Sequence, residues 1–143
     1  MFTAAARSRE AAVRRATITT MAPKEKHTLA REHLATAQRE LAEGAILPAI
    51  MFLHLAAEAA VVSLAEREGI DTKKRHDRKA DAAQELFRRG LVPEDLSEAL
   101  RSLNQVRKDA TYEGEDPKLD DEDLEALAKQ IEAIVVAAEE RAK

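Results

Sequence analysis

One stretch of 21 residues, AILPAIMFLHLAAEAAVVSLA at positions 45–65, restricts the fold more than any other part of the chain. Its only ionisable side chains are His54 and Glu58, and it is apolar on almost every face of a helix. A helix of that kind has no wet side and belongs in the middle of a bundle. It approaches the length of a membrane span, but His54 and Glu58 break it, so it reads as a core helix. Pro48 suits the first turn of a helix over 47–68, and Gly69 suits its C-terminal cap.

The remaining segments supply the covering for such a helix. A stripe of Ala30, Leu34, Ala37 and Leu41 predicts a helix over 25–42, stopped by Gly44. A third helix is expected over 78–89, ending at Gly90. A fourth is expected from Pro93, carrying Leu96, Leu100, Leu103, Val106 and Ala110 at intervals of three or four. The fifth begins at Asp120 or Asp121, where acids complement the positive end of the helix dipole. Leu124, Leu127, Ile131, Ile134 and Val135 form its inward stripe. With no alternating β pattern, the expected fold is all-α: an antiparallel bundle of four to five helices in one domain.

Charge divides the chain. Residues 1–20 carry four Arg and one Glu, a net of +3, which leaves −7 on the rest of a chain whose total is −4. Segment 1–23 is rich in Arg and Ala like a transit peptide, without the continuous apolar stretch of a secretory signal. It is read as a flexible N-terminal extension, with Met21 as an alternative start and the domain spanning 24–143. An acidic body argues against broad non-specific DNA binding while leaving room for a local basic patch. The chain has no Cys, which excludes thiol nucleophiles and Cys-based zinc sites and makes a reducing cytoplasm the expected setting.

Few motifs carry chemistry. None of the four His (27, 33, 54, 76) lies three residues after an acid, as bundle metal sites require. His54 and Glu58, four apart, share a helix face, and a buried His hydrogen-bonded to a carboxylate is a better reading of them than a metal site. No nucleophile elbow and no Gly-rich phosphate loop is present, and no cofactor is called for. The run KKRHDRK gathers Lys73, Lys74, Arg75, Arg78 and Lys79 around His76, with Arg88 and Arg89 ending the next helix. It is either a phosphate-contacting patch or a solvated connector, and the second reading carries more weight. The stretch VRKDATYEGED at 106–116 places Arg107 at the edge of the apolar stripe of the fourth helix. Arg107 can clamp a phosphate. Tyr112, the chain's single Tyr, can turn towards it if the helix frays before Gly114. An ordinary helix end fits the same residues.

From about residue 29 to 140 the chain resembles the HEPN domain family (higher eukaryotes and prokaryotes nucleotide-binding). HLAAEAAVVSLAEREGI is similar to the family's second helix, RHDRKADAAQELFRRG to the segment after it, and LRSLNQVRKDATYEG to its signature helix. DDEDLEALAKQIEAIVVAAEE fits the last helix. In the family's ribonucleases an Arg is followed by four to six residues and a His, and the two meet at a dimer cleft. Arg107 matches the Arg, but the matching slot holds Tyr112, and no His follows His76. An unperturbed Tyr titrates near 10, whereas acid–base catalysis at neutral pH wants a group near 7. The pattern resembles a non-ribonuclease branch, of which Asp109 would be part, with Glu58 facing Arg107 across the bundle.

The resemblance therefore implies a non-catalytic module, a homodimer away from membranes. It would bind a nucleotide, RNA or a partner such as a nucleotidyltransferase. The implied site residues are Arg107, Asp109, Tyr112 and Glu58, together with Lys73, Lys74, Arg75 and His76. A ribonuclease or toxin of a toxin–antitoxin or defence system, using Tyr112 or His76, and a structural subunit of an assembly are the alternatives.

Overall fold

The computed structural model describes residues 24–72, 76–114 and 119–143. Five helices run through them: α1 (Lys26–Ala42), α2 (Ile46–Arg67), α3 (His76–Arg88), α4 (Ser97–Tyr112) and α5 (Asp121–Arg141), with no strand among the described residues. The fold is all-α, as expected, and the bundle is built around α2. That helix packs against each of the other four, α1 and α5 also pack on one another, and α3 pairs with α4. By length and composition α2 could cross a membrane. Its buried residues, among them Ile50, Leu53, Ala56, Ala57, Ala60, Val61 and Leu64, instead make it the core helix. The many alanines let neighbouring backbones come close, while Leu34, Leu86, Leu103, Leu124 and Ile131 fill the spaces between.

Three helix ends have a clear local cause. α2 stops because Gly69 takes a left-handed φ of 70°, which lets Ile70 N–H donate to the Ala65 carbonyl at 2.8 Å. α5 starts with a reciprocal cap: Asp123 N–H donates to Asp120 Oδ1 at 2.8 Å, and Asp120 N–H to Asp123 Oδ2 at 3.2 Å. α4 begins later than its stripe suggests, at Ser97 and not at Pro93. The Asp95 carboxylate accepts from Ser97 N–H at 2.8 Å and holds the preceding residues in a turn. The N-terminal extension, residues 1–23, lies outside the described residues, as do Lys73, Lys74 and Arg75.

Candidate functional site

Where α4 crosses α2 the surface opens into a cavity of about 420 Å³, lined by His54 and Glu58 from α2 and by Leu100, Arg101, Asn104, Gln105 and Lys108 from α4. Helix geometry explains the composition of the α4 wall. At about 100° per residue, Leu100, Asn104 and Lys108 follow one line, and Arg101, Gln105 and Tyr112 run beside it on the solvent side. Leu100 and Leu103 are buried and anchor the helix, so the polar residues next to them are held over α2.

On the α2 side of the cavity the ionisable side chains are largely enclosed. His54 is only 3% exposed, and its Nδ1 lies 3.7 Å from Glu58 Oε1, beyond good hydrogen-bonding range. Lys79 of α3 reaches across to donate to Glu58 Oε2 at 3.0 Å. A carboxylate this enclosed is tolerable because a cation compensates it. Glu58 is therefore tied to α3 through Lys79, and among the described residues no group of three potential ligands could hold a metal ion.

The expected pairing of Glu58 with Arg107 is not formed. Lys79 occupies Glu58, and Arg107 instead donates from Nη2 to Asn104 Oδ1 at 3.0 Å, one turn back on its own helix. Arg107 Nε is buried and has no hydrogen-bond partner among the described residues, so the guanidinium keeps donor capacity in reserve. Asp109 accepts from Gln105 Nε2 at 2.8 Å.

Tyr112 is 74% exposed and stands one turn beyond Lys108. The helix does not fray before it: Glu113 N–H still donates to the Asp109 carbonyl at 3.0 Å, and the chain turns only at Gly114, with φ 66°. Five residues of unbroken helix place Tyr112 and Arg107 roughly 140° apart around the α4 axis. Within one chain they flank the wall of the cavity from two sides and do not converge.

The basic run near α3 is mostly neutralised where it is described. Arg78 pairs with Asp71, Lys79 with Glu58, and Arg88 and Arg89 both with Glu85. His76 opens α3. Arg101 shares its charge with Asp81 at 3.2 Å, whereas Arg107 and Lys108 have no carboxylate partner among the described residues. Sequence reasoning centred on Arg107, Asp109 and Tyr112 misses Arg101, Asn104, Gln105 and Lys108, which form the wall itself. Their signal is a second, polar stripe on α4 beside the leucines.

No curated protein and no solved structure matches the chain. Residues 27–141, which contain all five helices but for the first residue of α1, match the HEPN domain. The chain belongs to the HEPN family.

Proposed function

We propose that this protein is a non-catalytic HEPN module that binds a nucleotide or single-stranded RNA along α4, in the groove that α4 forms with α2. The observation that carries the reading is the α4 wall. A cavity of about 420 Å³ falls within the range of small-molecule sites, roughly 300–1,000 Å³. Its lining combines Leu100 with two amides, two cations, His54 and the carboxylate of Glu58, which Lys79 compensates. Lys108, without a carboxylate partner among the described residues, is available to a phosphate, and the exposed Tyr112 ring at the end of the same helix is available for stacking on a base.

Against hydrolysis stands the sequence of the signature helix. Tyr112 occupies the position of the family's His, and no His follows His76. His54 lines the cavity but is enclosed beside Glu58. The reading includes a two-fold homodimer, which would bring a second α4 close to the first and widen the groove.

Fluorescence anisotropy with labelled single-stranded oligoribonucleotides tests the proposal. Saturable binding, weakened by Arg107→Ala and Lys108→Ala, is the expected result. No binding by the folded wild-type protein contradicts it.

A further inference from the structure

We infer that Asn104 and Gln105 form an oriented donor–acceptor pair that reads the edge of a nucleobase, with Arg107 and Asp109 as the positioning residues that fix the orientation. The inference rests on the proposed nucleotide-binding reading and names what the groove recognises. An isolated amide side chain can present either end to a ligand, because its oxygen and nitrogen are nearly the same size. Here the neighbours remove that freedom. A guanidinium has only donors, so the Asn104 atom at 3.0 Å from Arg107 Nη2 must be its oxygen. The Asn104 NH₂ group is what remains for the cavity. An ionised carboxylate has only acceptors, so the Gln105 atom at 2.8 Å from Asp109 Oδ1 must be its nitrogen. The Gln105 carbonyl oxygen is what remains. Two consecutive residues that both line the cavity thus offer one donor and one acceptor, each dictated from outside it.

That pattern selects the ligand class. The dianion of a phosphate ester has acceptors only, and it would meet the Gln105 oxygen and the Glu58 carboxylate as repulsive neighbours. Nucleobases carry an acceptor beside an N–H donor on an edge, and amide side chains read such edges. Arg101 and Lys108, both exposed where they line the cavity, are suited to the phosphate attached to such a base. The inference also gives Arg107 and Asp109 a role that needs no proton transfer: each acts through the amide one turn before it.

Side-chain amide signals of the ¹⁵N-labelled full chain, with the Asn104 signal assigned by its loss in Asn104→Leu, provide the test. The protein is titrated with the four nucleoside 5′-monophosphates and with ribose 5-phosphate. At least one nucleotide should bind roughly ten-fold or more tightly than ribose 5-phosphate and shift the Asn104 amide, since a good two-point contact to a base is worth about that much. Arg107→Gln, whose own amide can flip, should lose most of that preference. Arg107→Lys, still donor-only, should keep more of it. Melting curves establish that each variant is folded. Equal binding of nucleotides and ribose 5-phosphate, or an Asn104 amide unmoved by nucleotide, overturns the inference. If single-stranded RNA still binds in that case, the proposed function survives without it. If neither nucleotides nor RNA bind, the proposed function itself has failed. A base preference unchanged in Arg107→Gln overturns the positioning role.

Discussion

Arg31 of α1 and Glu139 of α5 meet in a two-point pair, Nε to Oε2 at 3.0 Å and Nη2 to Oε1 at 2.7 Å, while Nη1 of the same guanidinium donates to Glu132 at 2.7 Å. One planar group therefore spans two carboxylates about two helical turns apart on α5 and fastens it to α1. The hydrogen bond from Arg31 holds the Glu139 carboxyl below its ordinary value, against the opposing effect of partial burial, and the two acids push the guanidinium further up.

The pair gives a pH signature. Glu139 is lowered in the folded state, so its contribution to stability is complete above the unfolded value of 4.5 and is lost as pH falls from there through the lower folded value. Both partners are about a third exposed, so the contribution is modest, on the order of 1 kcal/mol. Arg31→Met should lower the melting temperature by a few degrees at pH 7. The gap between variant and wild type should close in acid, as thermal melts at a series of pH values would record. A gap that stays constant down to strongly acidic pH would show that packing of the Arg31 stem, and not the pair, is responsible.

Glu58 should prove structural. It is 12% exposed and compensates Lys79, so Glu58→Leu leaves a cation facing an apolar neighbour. Breaking one side of an enclosed pair costs roughly 3 kcal/mol or more. Denaturant unfolding should place Glu58→Leu far below wild type, with the double variant Glu58→Leu, Lys79→Met recovering much of the loss.

Lys108 should behave in the opposite way. Without a carboxylate partner among the described residues, it can be replaced by Ala with a stability change within about 0.5 kcal/mol. RNA affinity should fall nevertheless, and the slope of log affinity against log salt should drop by about 1 if Lys108 contacts a phosphate. An unchanged slope would place the backbone of the ligand elsewhere.

Assembly is the next expectation. A two-fold dimer that uses α4 should be visible by light scattering at micromolar concentration, and Tyr112→Asp at the exposed end of that helix should shift it towards monomer. A strictly monomeric wild type would remove the second α4 from the site.

Much of the architecture was legible from spacing. The stripes at Leu34, Leu100 and Leu103, and Ile131 and Ile134 turn inward as their periodicity implies, and the apolar run around Leu53 and Ala57 lies at the centre. What the stripes could not give was the pairing of charged groups across helices. Glu58 has cations available in several directions, and only the packing of α3 on α2 brings Lys79 to it and leaves Arg107 to Asn104. The start of α4 was hidden for a similar reason. Pro93 is a good first-turn residue, but the Asp95 side chain offers Ser97 N–H a local partner that a count of apolar residues does not register. The polar wall of the cavity escaped notice because exposed Arg, Gln and Lys on a helix ordinarily mean only solvent. Their meaning depends on what lies opposite, and here that is His54 and Glu58.

The central claim is recognition without hydrolysis along α4, and the most direct measurement is an RNA-cleavage assay run beside a binding assay on the same preparation. Wild-type protein should bind single-stranded RNA and leave it intact over background. Arg107→Ala should weaken that binding by roughly ten-fold, because Asn104 in the cavity wall loses the charge-assisted hydrogen bond that orients it, while the protein remains folded. Robust cleavage by the wild type, abolished by Tyr112→Phe, would contradict the account and make this chain a ribonuclease that depends on Tyr112.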